Sequence, residues 1–361
     1  MLQSHKRPDV KLGGKLVEAN EIPGPIDRLV SIAKCHEFSA SCPKIIRRTQ
    51  MTTALFSHTD CHSHVTPPGH PERVERLEAI EAALSDDRFA ALDRRDAPLA
   101  DRAEMLRCHP DQYVSKIQAA IPSKGSRALD ADTHVSPGSW AAGLRAVGAA
   151  VSAVDIVLDG EVANAFCATR PPGHHAEAET SMGFCLFGNA SIAAKRALDQ
   201  HGLSRVAVVD FDVHHGNGTQ DLLWDEKRTL FVGSHQMPLW PGTGNRDESG
   251  AYGNVINMPL DLGTSGTGFR RIWEIHGLPA LDAFAPELII ISAGFDAHQD
   301  DPLAQLALTE ADFAWMTEAL CDLADTHAGG RVVSILEGGY DLRALAASTA
   351  THVDVLMRRG K

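Results

Sequence analysis

Short runs that are apolar along their whole length alternate with Ala-rich amphipathic segments, and this alternation limits what the chain can fold into. Strand-like runs occupy 163–169, 205–210, 229–234, 255–259, 287–293 and 331–337, with a further run at 53–58. Helical periodicity marks 72–84, 139–158, 188–200, 269–284, 310–326 and 342–357. Strands without a polar face suit a parallel sheet buried on both sides. Strand-then-helix alternation implies right-handed crossovers and an α/β three-layer αβα sandwich. In such sheets ligands bind beyond the C-terminal ends of the strands. The residues that follow each strand are therefore the place to look for chemistry.

Four strand ends carry it. They read Arg170-Pro171-Pro172-Gly173-His174-His175, Phe211-Asp212-Val213-His214-His215-Gly216-Asn217, Gly294-Phe295-Asp296-Ala297-His298 and Gly338-Gly339-Tyr340-Asp341. Asp212 and His214 lie two apart in extended chain, so both side chains can share a face. Asp296 supplies a third ligand from another strand end. Three N/O ligands with a fourth position open describe a catalytic zinc site; a solvated loop or a site for a harder cation is the competing reading. His174 and His175 need polar partners if buried, and Asp210 and Asn217 can serve. A carboxylate partner keeps an imidazole basic, whereas an amide partner leaves it nearer neutrality. Gly338 and Gly339 allow a sharp turn that exposes the Tyr340 hydroxyl, a suitable donor to an oxyanion; simple aromatic packing is the alternative. Gly183, Phe184 and Trp240 are candidates for the walls of a pocket or for loop packing. Arg73 could meet a small carboxylate product or form a surface ion pair.

Together these motifs resemble the histone deacetylase superfamily, in order and spacing, from about Leu55 to the C-terminus. Asn217 and the Phe-Asp-Ala-His run resemble its class II branch and bacterial homologues, including the acetylpolyamine amidohydrolase group. The resemblance implies an arginase/deacetylase-like fold with a central, mostly parallel eight-stranded sheet. It implies one Zn²⁺ on Asp212, His214 and Asp296, and His174 and His175 as the catalytic pair, with Asp210 orienting the first and Asn217 contacting the second. Tyr340 would be the transition-state donor, Gly183, Phe184 and Trp240 would line the acyl-amine tunnel, and Thr133 would lie near its rim. The family also binds K⁺ through Asp210, Asp212 and a Ser-Leu-His run. Here that run reads Gly233-Ser234-His235, with Gly at the usual Ser position, which puts the side-chain ligand of the K⁺ site in doubt.

The expected activity is hydrolysis of acetyl-lysine or of an acetylated amine or polyamine, with release of acetate. Two rivals are a binuclear manganese ureohydrolase and a silent acetyl-amine binding module. Asp296-Ala297-His298, where arginases carry Asp-x-Asp, favours one metal. Tyr340 and the full ligand set favour an enzyme.

Charge and cysteines bound the setting. The net charge is −13; residues 1–50 hold nine basic and five acidic groups, which leaves −17 on the remainder. An acidic body is a poor partner for nucleic-acid phosphates. No run reaches the eighteen uninterrupted apolar residues expected of a membrane span. Seven cysteines with no Cys-x-x-Cys suit a reducing compartment, so the expected location is the cytoplasm. A homo-oligomer is compatible with this composition. Residues 1–50, with little periodicity, are expected to be a poorly ordered extension, and 51–361 the deacetylase catalytic domain.

Overall fold

In a computed structural model the protein is described over residues 52–360; the expectation for the N-terminal extension lies outside the described residues. The strands are β1 (Thr53–Ser57), β2 (Asp93–Asp96), β3 (Arg127–Ala128), β4 (His134–Val135), β5 (Asn164–Cys167), β6 (Val206–Asp210), β7 (Thr229–Gln236), β8 (Val255–Leu260), β9 (Leu288–Ala293) and β10 (Val332–Leu336). The helices are α1 (Glu75–Leu84), α2 (Arg102–Met105), α3 (Asp111–Ala120), α4 (Ser139–Leu158), α5 (Asn189–Gln200), α6 (Asn217–Leu223), α7 (Gly266–Ile272), α8 (Leu278–Phe284), α9 (Glu310–His327) and α10 (Leu342–Arg359).

Eight strands form one sheet in the order β2-β1-β5-β10-β9-β6-β7-β8. Every neighbouring pair in it is parallel. Its strands divide their side chains between two cores. Ala54, Phe56, Val206, Val208, Leu288 and Ile290 meet α4 and α5 on one face. Leu55, Ala207, Val209, Ile289 and Ile291 meet α1, α9 and α10 on the other. This is the three-layer sandwich expected from strands with no polar face. Helix α4 is apolar and long enough to cross a membrane, yet 61% of that apolar window is buried inside the protein.

The apolar strands and the long helices appear within a few residues of the expected bounds. Several elements were not expected. Strand β2 reads Asp-Arg-Arg-Asp and, among the described residues, pairs only with β1, at the sheet edge. Edge strands tolerate charge because one side faces water, so hydrophobic patterning cannot reveal them. Helices α3 and α6 were likewise missed. The single helix expected at 269–284 is α7 and α8 joined through a π-helical turn, Trp273–Gly277. Pro279, which cannot donate a backbone hydrogen bond, falls in the first turn after that widening.

The topology places the site. Strands β5, β10, β9 and β6 are consecutive in the sheet, and these are the four whose C-terminal ends carry the motifs. Four segments distant in sequence therefore converge on one edge.

Helix α4 reaches its place through a glycine. A Cβ on Gly148 would lie 1.9 Å from the Pro98 carbonyl oxygen. Replacing glycine by alanine inside a helix ordinarily gains roughly 0.5–1 kcal/mol, but crowding of this kind costs about 1–3 kcal/mol. Gly148→Ala should therefore lose stability, and chemical denaturation measures the sign.

Candidate active site

The floor of the site is built from carboxylates that backbone amides hold in place. Asp212 accepts hydrogen bonds from His214 N (2.9 Å) and Gly338 N (2.9 Å). Asp296 accepts from Val213 N (2.9 Å). His214 Nδ1 stands 3.2 Å from Asp212 Oδ1 and 3.1 Å from Asp296 Oδ2. The three ligand atoms of Asp212, His214 and Asp296 all lie within 4.8 Å of one another. Two fully buried carboxylates at one point repel, and burial together with the Asp212 charge pushes the Asp296 carboxyl up to about 7. A cation relieves that repulsion. Glycines leave the carboxylates room: a Cβ on Gly294 would fall 2.0 Å from Asp212 Oδ2, and one on Gly338 2.2 Å from Asp296 Oδ2. Donor set, charge and shape therefore fit a divalent metal ion.

Beside this cluster the two expected histidines are stacked, with ring centroids 3.8 Å apart. Their surroundings differ. His174 Nδ1 is 3.0 Å from Asp210 Oδ2. Burial works against its charged form, but Asp212, Asp210 and Glu337 outweigh burial and hold the imidazole well above its usual range. His175 Nδ1 is 2.8 Å from Asn217 Oδ1. The Asn217 amide nitrogen donates to Glu177 at 2.8 Å, which turns its oxygen toward His175. His175 Nδ1 must then carry the proton, leaving Nε2 with a free lone pair. Burial and the neighbouring His174 and His214 hold its pKa well below the usual value.

Tyr340 and the wall residues close the site. A cavity of about 190 Å³ has His175, His214 and Tyr340 among its lining, with Phe184, Leu239, Trp240 and Leu303 as apolar walls. Burial and the nearby Asp296 hold the Tyr340 phenol well above its normal pKa, so it keeps its proton. Gly183 (φ +54°) lies where a Cβ would meet the His175 ring at 2.4 Å and Trp240 at 2.6 Å. Thr133 is fully buried. Its hydroxyl accepts from Phe184 N at 3.1 Å and donates to Asp132 at 3.1 Å, so it braces the wall from behind and is not part of the lining. Gly233 sits beside Asp210 in the β6–β7 ladder, and that position offers no side-chain ligand.

Several residues of the site were not singled out from the sequence. Asp132 lines the cavity. Glu337 is fully buried and accepts from Gly173 N (2.7 Å), His174 N (3.1 Å) and Ser292 Oγ (3.1 Å). Asp301 Oδ2 accepts from Tyr340 N at 2.7 Å. Glu72, Arg76 and Arg170 form a fully buried charged cluster. Arg76 donates to the Gly339 carbonyl (2.6 Å) and the Glu337 carbonyl (2.5 Å), and its guanidinium lies 5.1 Å from the Tyr340 ring centroid. Arg73, the expected candidate, is exposed. The signal was present three residues on, where an Arg falls on the apolar face of a helix beside Leu77 and Ile80, with Glu72 one turn before it.

Comparison with known proteins agrees with this geometry. A model of the histone deacetylase domain matches residues 70–356. The chain is 38% identical over 301 residues to a probable deacetylase of Archaeoglobus fulgidus, covering 81% of this chain and 82% of that one. It is 38% identical over 284 residues to a histone deacetylase-like amidohydrolase of Pseudomonas aeruginosa, covering 76% and 74%. The solved HDA15 HD domain superposes with a TM-score of 0.82 at 33% identity, over 86% of this chain and 89% of that one. The chain belongs to the histone deacetylase family.

Gly183→Ala tests how tightly the floor and wall are packed. The new methyl must displace His175 or Trp240, and a misplacement of about 1 Å at such a centre can cost on the order of a hundredfold in rate. The expected outcome is a folded protein by circular dichroism with turnover reduced at least about tenfold.

Proposed function

We propose that this protein is a zinc-dependent deacetylase that hydrolyses the acetyl amide of acetyl-lysine or of a small acetylated amine such as a polyamine. The observation that carries the reading is the pair of adjacent imidazoles in opposite environments beside a three-member ligand cluster. Asp212, His214 and Asp296 would hold the ion. The chemistry that zinc supplies when bound is Lewis acidity, toward the amide carbonyl and toward the attacking water.

The chain's own residues supply the rest. His175, with Nε2 free and its pKa depressed, accepts the proton of the water and returns it to the leaving amine nitrogen. His174, kept cationic by Asp212, Asp210 and Glu337, adds positive potential where the carbonyl oxygen gains charge. Tyr340, protonated and buried, donates a hydrogen bond to that oxygen. Phe184 and Trp240 exclude water along an aliphatic chain, and Asp132 offers an acceptor to a polar group of the substrate.

One ion is favoured over two. His298, two residues after Asp296, receives a hydrogen bond from Asp300 N at 3.1 Å and is not a member of the ligand cluster. A cytoplasmic setting is part of the same proposal, supported by Cys61, Cys108, Cys167, Cys185 and Cys321, which are buried free thiols.

Acetate release from an acetyl-lysine peptide and from an acetylated polyamine, measured side by side, tests the reading. Activity on at least one is expected, abolished by a chelator and restored by Zn²⁺. Two ions per chain together with urea-forming activity would overturn it. Tyr340→Phe should keep its metal and lower kcat by about a hundred- to a thousandfold, with a smaller change in KM, because the lost donor acts mainly in the transition state. Retention of activity within about threefold, far less than the 1.4 kcal/mol that a factor of ten represents, would remove Tyr340 from the mechanism.

A further inference from the structure

The loop that carries Trp240 is held from beneath by a chain of hydrogen bonds with one defined direction. Glu248, half-buried, accepts from Gly244 N (3.1 Å), Asn245 N (2.9 Å) and Asn245 Nδ2 (2.8 Å). It also accepts from Gln220 Nε2 on α6 at 2.7 Å. Burial opposes ionisation of this carboxyl, but the amide donors outweigh burial and hold it down at about 2, so it acts only as an acceptor.

That single fact orients every group beyond it. The Gln220 nitrogen must face Glu248, so its Oε1 faces inward. There it accepts from Asn257 Nδ2 (2.7 Å) and from His215 Nε2 (3.0 Å). His215 is thereby fixed with its proton on Nε2, and its Nδ1 accepts from the Thr243 hydroxyl at 2.8 Å. Gln220, His215 and Asn257 are all buried. The chain ends in the loop where it began, three residues after Trp240. Close packing reinforces it: Gly244, at φ +89°, lies where a Cβ would come within 2.6 Å of both the His215 and His235 rings. At the other end of the loop, the Trp240 ring rests edge-on against His175, with centroids 4.7 Å apart.

We propose that Glu248 is a positioning residue for the cavity wall: as an acceptor-only group it sets the direction of the Gln220–His215–Thr243 chain and so holds Trp240 against His175. The inference rests on the reading that this cavity takes the substrate. It predicts an unusual sensitivity to one atom. Glu248→Gln keeps size and shape but brings an amide NH₂ against the Gln220 NH₂. Flipping Gln220 to relieve that conflict would turn donors toward His215 and Asn257. Exchanging the two groups removes the conflict. With Gln220→Glu added, the carboxylate at position 220 accepts from the new amide at position 248, from His215 and from Asn257. The amide oxygen at position 248 then accepts from the loop N–H groups.

Two measurements on the full chain test this. Hydrogen exchange at Gly244 and Asn245 reports the clamp directly and needs no substrate. Steady-state kinetics reports the wall. In Glu248→Gln, exchange should accelerate and KM should rise by about tenfold, with kcat changed less than about threefold, as expected for a group that acts on substrate binding and not on the reacting atoms. In the Glu248→Gln/Gln220→Glu double variant both should return to within about threefold of the parent. Unchanged exchange in the single variant, or a double variant no better than the single, overturns the proposal. Should Glu248→Gln fail to fold alone, a folded double variant with restored protection supports the chain, and an unfolded one overturns it. Lack of turnover in the unaltered enzyme would count against deacetylation only, since the exchange result stands apart from it.

Discussion

Buried carboxylates that accept backbone N–H groups from one another's loops hold the whole catalytic edge together. Asp296, after β9, binds Val213 after β6. Asp212, after β6, binds Gly338 after β10. Glu337, at the end of β10, binds Gly173 and His174 after β5. Asp301, further along the β9 loop, binds Tyr340. Each of the four strand ends is thus tied to another by a carboxylate. A buried carboxylate without compensation is strongly disfavoured, and here the compensation consists largely of fixed peptide dipoles. Moving one loop would leave an acid unpaired on its neighbour, so the site behaves as one unit.

The arrangement crowds more carboxyl groups together than the surrounding basic side chains can hold ionised. Among the described residues no basic side chain is hydrogen-bonded to Glu337, and burial raises its carboxyl to about 7 despite the nearby His174. Asp212, Asp296 and Asp210 lie in the same volume. Such crowding fits a divalent ion, and Asp212, Asp210 and Glu337 keep His174 protonated. It also separates the two histidines. His174 faces acids, whereas His175 faces an amide, a cationic neighbour and the apolar wall, and so is the better proton acceptor near neutral pH. One electrostatic condition accounts for ion affinity, for the fixed positive charge and for the free base.

Much of this was legible in the sequence, for a definite reason. Strands buried on both faces are written as uninterrupted apolar runs, and the residues that end them fall at one edge whatever the loops do. Asp212, His214 and Asp296 come together as their positions after β6 and β9 imply, and His174, His175 and Tyr340 border them. What escaped is what depends on partners distant in sequence. Strand β2 is charged throughout and exists because β1 offers an edge. Arg76 is buried because Glu72 and two carbonyls surround it, and Arg73, nearby in the same turn, is not. Thr133 was expected at the rim and is instead buried behind Phe184, a distinction that composition does not encode.

Floor and wall are held by different means, and this divides their roles. The floor is braced by fully buried carboxylates on backbone amides of the loops that leave the central strands. The wall is carried on loops and held by side-chain contacts. Thr133 braces Phe184. His70 packs against the same ring, with centroids 4.8 Å apart, and its Nε2 donates to the Asp132 carbonyl at 2.9 Å. Glu248 braces Trp240 through three other side chains. Exchange of a side-chain brace can shift a wall by a fraction of an ångström without exposing a buried charge, whereas exchange of a floor carboxylate cannot. Change in the wall therefore carries a lower energetic cost than change in the floor.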